Sequence, residues 1–375
     1  MKIVIDASRC KSGGAIAQLK GLFDYYEVSK FNIDLLIVFV DEKVKKLLPV
    51  NPGIVYKTPK FFDCGIFFKI YWQRYLLRSF IRNNNIDLLV TADATSLCNF
   101  SPAVTISQDL SSFESNVISS EGFSLMTLRN YVIKFLQLNR ISKSVGTIFQ
   151  TNYAKEKVTN HLGKALNYKI LPHGLDEEFH LLHVNEKKVE QVVNILYVSP
   201  IFAYKHQVEV VKAFNLLPSI SNKTFRLHLV GGVGSKKYYR KVIREIAGSD
   251  NIFLYDFLPK ARVLKSLRES DIFVFASECE TFGISLLEAM AAGIPIACSN
   301  KSSLPETLRE CGEYFDPTCE KSILLAIKNI LECDSRFSQF VLPAKTLSKQ
   351  YNWELISDEF FRYIISRYED FLISK

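Results

Sequence analysis

The chain has 375 residues, of which 48% are hydrophobic and 23% are charged, a composition that is typical of folded globular proteins and excludes an intrinsically disordered chain. Its length favours two domains over a single core. No uncharged apolar run reaches the roughly 18 residues that a membrane-spanning helix needs. The opening MKIVIDASRC is predicted to be a first strand rather than a signal peptide.

The net charge of +8 is unevenly distributed along the chain. Residues 1–175 contain 22 Lys and Arg against 13 Asp and Glu, whereas residues 176–375 contain 25 against 26. An excess of positive charge attracts anions, so the first half is expected to face phosphorylated substrates, acidic lipid headgroups or nucleic acid. The charge alone does not choose among these three.

The eight cysteines are scattered through the sequence. They form no CxxC pair, and their spacing does not match a zinc site. Scattered cysteines in a chain without a secretory signal are typical of reduced thiols in the cytoplasm. We therefore expect a cytoplasmic protein without a metal centre.

Short runs rich in Val, Ile and Phe recur along the chain, with helical patterns between them. Seven strands are predicted in the first half: KIVIDAS, IDLLIVFV, IVYKTP, IDLLVTAD, AVTISQDL, GTIFQTN and YKILPHG. Five are predicted in the second half: NILYVSP, FRLHLVGG, NIFLYDFL, DIFVFASE and PIACSN. Apolar and polar residues do not alternate in these runs, so both faces of each strand are expected to be buried, as in parallel sheets.

The repetition of strand, helix and strand predicts an α/β protein with open parallel sheets. The polar segment 176–191, DEEFHLLHVNEKKVEQ, separates the two sets of strands and is predicted to be the linker. We therefore predict two Rossmann-like domains that face each other across a cleft, residues 1–175 and residues 176–352. Ligands of such sheets bind at the carboxyl ends of the strands, so the loops after the strands are the candidate sites.

The segment KFFDCGIFFKIYWQRYLLRSFIR, residues 60–82, is basic and aromatic. Arg74, Arg78 and Arg82 recur every four residues and are expected to line one helix face. Basic aromatic helices can lie on anionic membranes. The alternative is an ordinary domain helix, with its aromatic side chains in the core and its arginines in solvent, and the sequence leaves both open.

The clearest candidate site follows the predicted strand DIFVFAS. Residues 276–300, ASECETFGISLLEAMAAGIPIACSN, predict a loop, a helix that ends at Gly293, and a further strand. The first amide groups of this helix, from about Phe282 to Ser285, have no partner within the helix and attract an anion. Gly283 carries no side chain that would block a close approach.

Two carboxylates flank this helix start: Glu280 lies in the loop, and Glu288 lies just over one turn into the helix. A carboxylate only accepts hydrogen bonds and binds neighbouring hydroxyl groups as a fork. Two carboxylates beside an anion site suit a ligand with a central phosphate and hydroxyl groups at both ends, which is the layout of a sugar nucleotide. The alternative is a solvated loop residue and an exposed helix residue. Against it, Glu288 lies in SLLEAMAA, where its neighbours are apolar or small.

This stretch resembles the signature of the family 4 (group 1) glycosyltransferases, which have the GT-B fold. The family pattern is a Glu, seven residues and a second Glu, with Phe-Gly after the first and a helix of small residues that runs to Gly-x-Pro. Four other segments resemble family elements in the same order: LPHGLD, ILYVSPIFAYKH, LPETLRECGEYFDP and YNWELISDEFFRYI. The last resembles the closing Trp-containing helix, here residues 353–375, that crosses back to the N-terminal domain.

The resemblance implies an enzyme, a retaining glycosyltransferase that uses a nucleotide-diphosphate sugar and no metal or other cofactor. It implies that Glu288 binds the ribose, that Glu280 contacts hydroxyl groups of the donor sugar, and that Lys205 neutralises the leaving diphosphate. Lys205 follows the predicted strand NILYVSP and so lies at the same sheet edge as the acids, where an ammonium would stabilise the transition state. The expected donor-binding backbone is that of Thr281, Phe282, Gly283 and Ile284.

The resemblance extends to two loops of the first half. Gly13 and Gly14 follow the first strand and resemble the glycine loop that approaches the donor phosphate and the acceptor. Gln108 and Asp109 stand where many members have His-Asp, so Asp109 is a candidate catalytic residue, and an imidazole base is excluded at Gln108. The alternative role for Asp109 is a helix N-cap. In a retaining front-face reaction the leaving phosphate can itself accept the proton of the acceptor.

The chain departs from the family at the Arg that usually stands five residues before the Lys, because Pro200 occupies this position. The missing phosphate contact has three candidate suppliers: Lys236, Lys237 and Arg9. His173 in LPHGLD is expected to lie in a hinge or core. His206, beside Lys205, replaces a more common Gly and has no assigned role.

These observations predict a hexosyltransferase that acts on a glycan or lipid-linked acceptor in the synthesis of a bacterial-type surface polysaccharide, such as lipopolysaccharide, O-antigen or capsule. A lipid-linked acceptor fits peripheral attachment to an anionic membrane surface on the cytoplasmic side. The alternatives are a nucleotide-sugar epimerase of the same fold and a catalytically weak partner subunit that binds membrane or anions. A nucleic-acid-binding module is disfavoured, because no nucleic-acid motif is visible and the two acids would be unexplained.

Overall fold

The computed structural model describes residues 1–11, 13–59, 65–120, 125–182 and 191–375. The chain divides into two compact units. The first contains residues 1–113, 123–174 and 351–375, and the second contains residues 114–122 and 175–350. A short segment from the first half of the sequence, residues 114–122, thus groups with the second unit.

Thirteen strands lie within the described residues. They are β1 (Lys2–Asp6), β2 (Leu35–Phe39), β3 (Ile54–Lys57), β4 (Leu88–Thr91), β5 (Ala103–Ser107), β6 (Gly146–Phe149), β7 (Tyr168–Ile170), β8 (Val192–Val198), β9 (Thr224–Val230), β10 (Ile252–Tyr255), β11 (Ile272–Phe275), β12 (Ile296–Ser299) and β13 (Glu313–Phe315). Twelve of them overlap the predicted runs. The sequence missed β13, whose three residues are too few to show a periodicity.

The helices of the described residues are mostly short. They are α1 (Gly14–Asp24), α2 (Glu42–Lys45), α3 (Ile66–Tyr71), α4 (Arg78–Asn83), α5 (Ser115–Ser120), α6 (Leu125–Ser142), α7 (Asn152–Thr159), α8 (Glu177–His180), α9 (Gln207–Leu216), α10 (Lys236–Ile246), α11 (Lys260–Glu269), α12 (Ile284–Ala292), α13 (Leu304–Leu308), α14 (Glu320–Glu332), α15 (Leu342–Ser348) and α16 (Trp353–Ile373). A π-helical segment, Trp72–Leu77, joins α3 to α4. None of the helices described is long and apolar enough to cross a bilayer.

Each unit is built around one parallel sheet. The strand order is β3-β2-β1-β4-β5-β6-β7 in the first unit and β10-β9-β8-β11-β12-β13 in the second. The predicted α/β class with two parallel sheets is therefore confirmed. In each sheet the order reverses between two central neighbours, β1 and β4 or β8 and β11, and ligands of such sheets bind at this switch point.

Several predicted strands extended too far at their carboxyl ends. Gln108 and Asp109 follow β5, and Ser277 and Glu278 follow β11. The hydrophobic pattern does not mark the last residue that is hydrogen-bonded within the sheet, because loop residues beside a buried sheet edge are themselves often buried. Of the predicted linker 176–191, the short helix α8 is described, and residues 183–190 lie outside the described residues.

The C-terminal helix α16 belongs to the first unit, so the predicted return of the chain is confirmed. The side chain of Asn352 caps its first turn by accepting hydrogen bonds from two backbone N–H groups. The Trp353 indole packs where Gly21 and Gly174 leave room, since a Cβ at either position would lie 2.2 or 2.3 Å from the ring. His173 is buried beside this indole, with ring centroids 4.7 Å apart, and so lies in the core, as expected.

Candidate functional site

In the second unit, Lys205 and Glu280 form a buried ion pair at the switch point of the sheet. Lys205 lies in the loop between β8 and α9, and Glu280 in the loop between β11 and α12. Their side chains are 9% and 17% exposed, and the ammonium contacts Glu280 Oε1. The ammonium also lies over the rings of Tyr204 and Phe275, at 5.3 and 5.7 Å from their centroids. The structure thus brings two predicted site residues together in surroundings where charge is weakly screened.

The Lys205 loop is held in place by hydrogen bonds from the sheet and from the Glu280 loop. The Tyr197 hydroxyl, buried on β8, donates to the Lys205 carbonyl oxygen over 2.5 Å. The backbone N–H of Glu278 donates to the Tyr204 carbonyl oxygen over 2.8 Å. The two loops therefore contact each other through backbone as well as side chains.

Hydroxyl groups from the loop and helix after β12 hold the other side of the Glu280 loop. The Ser302 hydroxyl accepts from the Glu280 N–H over 2.8 Å and donates to the Glu280 carbonyl oxygen over 2.7 Å. The Ser303 hydroxyl donates to the same carbonyl over 2.9 Å, and that of Thr307 donates to the Phe282 carbonyl over 2.8 Å. These hydroxyls lie at least 22 positions from Glu280 and form no recognisable sequence pattern with it, so they were not predicted.

The start of α12 offers free backbone donors. Gly283 precedes the helix with φ 94°, a left-handed conformation that glycine adopts without strain. Among the described residues, no acceptor is found for the N–H groups of Gly283, Ile284 and Ser285. Unpaired amides at a helix N-terminus carry partial positive charge and suit an anion. Three of the amides predicted to attract an anion thus lie at the start of α12, close to Glu280 in the chain, and their binding of an anion stays a prediction.

Glu288 lies one turn further along α12, between the buried Leu287 and Ala289. Its side chain is half-buried, and within the described part of the chain no hydrogen bond or ion pair reaches its carboxylate. Burial, and to a smaller extent the charge of Asp176, raises the pKa of Glu288 from 4.5 to about 8, while Lys260 opposes this rise. A half-buried acid without a protein partner is partly desolvated, so this carboxyl group is poised to gain from ligand hydroxyl groups.

Two further charged residues lie near Glu288. Lys260, at the start of α11, pairs with Asp176 over 2.5 Å and with Glu178 over 3.0 Å. Asp176 lies at the start of the long segment of the second unit and Lys260 near its middle, and the charges of these two residues act on the Glu288 carboxyl. Sequence analysis placed Asp176 only in the linker and did not identify Lys260.

The other candidate residues lie in the first unit. Gly13 precedes α1 with φ 61°, its Cα faces open space, and Gly14 is the first residue of the helix. Asp109 is exposed and accepts a hydrogen bond from the Ser111 N–H over 2.8 Å. The alternative role as a helix N-cap is wrong for Asp109, because the next helix, α5, begins only at Ser115. Its catalytic role stays a prediction.

The first-unit candidate for the missing phosphate contact already has partners. Arg9 lies 3.4 Å from the Asp93 carboxylate and donates to the Thr95 carbonyl oxygen over 3.2 Å. Lys236 and Lys237, at the start of α10, are exposed. Among the described residues, no group of three His, Cys, Asp or Glu side chains could hold a metal ion.

The chain is similar to known glycosyltransferases in sequence. Residues 180–345 match the sequence model of the family Glycosyl transferases group 1. O-antigen chain mannosyltransferase B of Escherichia coli is 28% identical over 160 residues, which are 42% of each chain. Sulfoquinovosyl transferase SQD2 of Arabidopsis thaliana is 22% identical over 41% of this chain and 31% of its own length. The sequence match thus spans less than half of these relatives.

The fold is similar to solved structures over nearly the whole chain. HepE of Anabaena in complex with UDP and glucose superposes with a TM-score of 0.73 at 18% identity, covering 98% of this chain and 99% of that one. Sucrose-phosphate synthase of Thermosynechococcus elongatus superposes with a TM-score of 0.73 at 15% identity over all of both chains. Residues 180–345 are therefore similar to the group 1 glycosyltransferases, and the fold that the chain shares with the solved structures extends over nearly its whole length.

Proposed function

We propose that the protein transfers a hexose from a nucleotide-diphosphate donor to a glycan or lipid-linked acceptor, with retention at the anomeric carbon. The observation that carries this proposal is the arrangement around the start of α12. The buried pair of Lys205 and Glu280 lies beside the unpaired amides, and the unpartnered Glu288 follows one turn later.

Each group has a role that its chemistry supports. The amides of Gly283 and Ile284 donate to the diphosphate, and the Glu288 carboxylate accepts from the ribose hydroxyls. Glu280 accepts from hydroxyls of the donor sugar, and Lys205 balances the charge that develops on the leaving diphosphate. We propose Thr281 and Phe282 as further backbone contacts, and Gly13, Gly14 and Asp109 as the contribution of the first unit.

The proposed reaction needs no metal and no separate base. The bond between the anomeric carbon and the diphosphate oxygen breaks, and a bond to the acceptor oxygen forms on the same face of the sugar. The acceptor proton passes to the leaving phosphate. Lys205 supplies a positive charge at this phosphate, which is the contribution that a divalent cation would otherwise make.

The relatives support a role in surface glycan synthesis. One is named for mannosyl transfer to an O-antigen chain, and a solved structure with a TM-score of 0.68 is named as an outer-core lipopolysaccharide galactosyltransferase. HepE was solved with UDP-glucose, which supports a nucleotide sugar as donor. We therefore propose an O-antigen, lipopolysaccharide or capsule glycan as the acceptor.

Two helical stretches of the first unit support attachment to an anionic membrane surface. Residues 64–86 and 122–155 contain no Asp or Glu, and large apolar side chains are exposed on both, such as Phe67 at 83% and Phe135 at 68%. The expected row of arginines is present only in part: Arg74 and Arg82 are exposed, whereas Arg78 is half-buried. Residues 60–64 lie outside the described residues. Exposed apolar side chains with basic neighbours suit the headgroup region of an anionic bilayer.

A thermal-shift panel with UDP-glucose, UDP-galactose, UDP-N-acetylglucosamine and GDP-mannose tests the proposed function. A ligand that binds only the folded state raises the melting temperature, and we expect one donor to do so in the parent protein and not in Glu288→Ala. Glu280→Ala is expected to slow sugar transfer, measured as release of the nucleoside diphosphate, more than it weakens nucleotide binding. Conversion of the nucleotide sugar into its epimer without an acceptor would instead support the epimerase alternative.

A further inference from the structure

His206 lies between two carboxylates directly after Lys205. Its Nε2 is 3.1 Å from Glu278 Oε2, and its Nδ1 is 3.4 Å from Glu209 Oε2. The His206 and Glu278 side chains are each 13% exposed, and that of Glu209 is 25% exposed. Both ring nitrogens thus face oxygens in a largely buried setting.

This geometry favours a protonated ring. A carboxylate only accepts hydrogen bonds, so both nitrogens are satisfied together only when both donate, which is the property of the imidazolium. Burial opposes the charge, but the hydrogen bonds that the ring donates to Glu209 and Glu278, together with the negative charges of these two residues, outweigh it and raise the pKa of His206. Asp316, after β13, also interacts electrostatically with this ring, and Lys205 precedes His206 in the chain.

The ring connects the two loops that carry the proposed catalytic pair. Glu278 lies two positions before Glu280 in the loop after β11, and His206 ends the loop after β8. The second oxygen of Glu278 accepts from the Asn116 side chain over 2.8 Å, so α5 is joined to the same carboxylate. The contact between His206 and Glu278 therefore parallels the ion pair between Lys205 and Glu280.

The backbone of His206 limits what can replace it. Its φ of 52° and ψ of 35° are left-handed, a conformation that Asn and Gly tolerate better than other residues. His206→Asn therefore removes the charge while keeping a polar side chain and the turn. His206→Gly removes the side chain altogether and relaxes the turn.

We propose that the His206 imidazolium is a positioning residue: it holds the Lys205 loop against the Glu280 loop, and sugar transfer slows when the ring loses its proton. The proposal rests on the proposed function, because Lys205 must act on the leaving diphosphate. Loss of the proton breaks one of two hydrogen bonds and leaves two carboxylates facing each other across a neutral ring. The Lys205 ammonium is then held less firmly beside the reacting phosphate.

The test compares the pH dependence of turnover in the parent, His206→Asn and His206→Gly. The donor is the nucleotide sugar that raises the parent melting temperature, and kcat and KM are measured from about pH 6 to about pH 9. In the parent, kcat is expected to fall as pH rises through the raised pKa of His206. In both variants kcat is expected to be about 10- to 100-fold lower at neutral pH, because a displacement of about 1 Å at a catalytic group can cost about 100-fold. The pH-dependent step should be absent, and KM for the donor should change little. His161→Asn is the matched control, because His161 is exposed and follows α7 in the first unit. This variant should keep the pH profile of the parent.

An NMR titration of the histidine ring protons measures the charge of His206 without reference to activity. The His206 signal is identified by its loss in His206→Asn, and its pKa is expected above the ordinary value in the parent. Glu278→Gln should lower this pKa, because it removes one of the two negative partners. A His206 signal that titrates at or below the ordinary value would overturn the proposal.

The outcomes separate this proposal from the proposed function. If no nucleotide sugar in the panel shifts the parent melting temperature, the proposed function fails and the role of His206 fails with it. If the parent turns over donor and His206→Asn shows the same pH profile and kcat, only the role of His206 fails. If His206→Gly keeps the kcat and pH profile of the parent while His206→Asn does not, only the left-handed turn at this position matters. The imidazolium is then not needed, and the proposal is wrong.

Discussion

The environment of Glu288 is the strongest indication that this site binds a ligand with hydroxyl groups. It lies half-buried on an apolar helix, and none of the described residues hydrogen-bonds to its carboxylate. A carboxylate in this setting is destabilising until hydroxyl groups satisfy it. Glu280, by contrast, already has Lys205 as a partner, so the two acids are expected to respond differently to substitution.

Glu288→Ala is expected to weaken binding of the nucleoside diphosphate. A hydrogen bond to a charged group contributes about 1.5–3 kcal/mol, which corresponds to a dissociation constant raised about 10- to 160-fold. Isothermal titration calorimetry with UDP and GDP measures this. Glu310→Gln, at an exposed position of the same unit, is the control, and an unchanged affinity in Glu288→Ala would refute the ribose contact.

The raised pKa of Glu288 predicts how stability depends on pH. Between pH 4.5 and about 8 the folded protein keeps this proton, whereas the unfolded chain releases it. The folded state then binds more protons, so the contribution of Glu288 to stability falls as pH rises through this window, by about 1.4 kcal/mol per pH unit. Glu288→Gln should therefore melt increasingly above the parent as pH rises from about 6 to about 8. A difference in melting temperature that is constant over this range would contradict the assignment.

At the scale of elements, the site depends on how α12 begins. The helix follows a left-handed glycine, and the loop before it is held by hydroxyls from the segment after β12. A short pattern in the sequence identified the helix, its glycine and both acids, because these lie within nine consecutive residues. The Ser302, Ser303 and Thr307 contacts could not be identified in this way, since they depend on the pairing of β11 with β12.

Gly283→Ala is expected to lower both stability and nucleotide affinity. The left-handed backbone, φ 94°, costs a non-glycine residue about 1–3 kcal/mol, and the new Cβ would lie 2.9 Å from Leu304 Cδ2. Gly248→Ala is the matched control, because Gly248 has φ 84° and no atom within 4 Å of the added Cβ. Denaturant unfolding should show a larger loss for Gly283→Ala, and only this variant should bind nucleotide more weakly. Equal affinities would mean that the helix start does not hold the phosphate.

At the scale of the whole molecule, the two units carry different properties. The second unit contains the candidate donor site, and the first carries the excess of positive charge and the exposed apolar helices. The segment 114–122 groups with the second unit although its neighbours in sequence belong to the first. Chain order alone did not predict this, because it depends on contacts between residues far apart, such as Asn116 and Glu278.

Chelation is expected to leave donor turnover unchanged. In the proposed reaction, Lys205 and the amides at the start of α12 supply the positive charge that the leaving diphosphate needs. Turnover with and without EDTA measures this. Loss of activity on chelation, with recovery on addition of Mn²⁺, would show that the expected independence from metal is wrong.

The first unit is expected to bring the protein to anionic vesicles. The full chain should float with vesicles that contain about one third phosphatidylglycerol and remain behind with pure phosphatidylcholine, because basic residues near the surface contribute about 1 kcal/mol each. Phe67→Ser and Phe135→Ser should each reduce flotation, whereas Phe257→Ser, an equally exposed position in the second unit, should not. If the protein elutes from gel filtration as a dimer and does not float with the vesicles, a second copy of the chain covers these helices instead.

The sequence by itself determined the α/β class, the two sets of strands and the candidate donor-site residues that lie close to a single helix start. These features depend on local periodicity and on short spacing, which the sequence displays directly. Only the tertiary structure decided that Lys205 pairs with Glu280, that His206 lies between Glu209 and Glu278, and that residues 114–122 join the second unit. The order of parallel strands determines which loops meet at a sheet edge, and this order depends on packing of the whole unit rather than on neighbours in the chain.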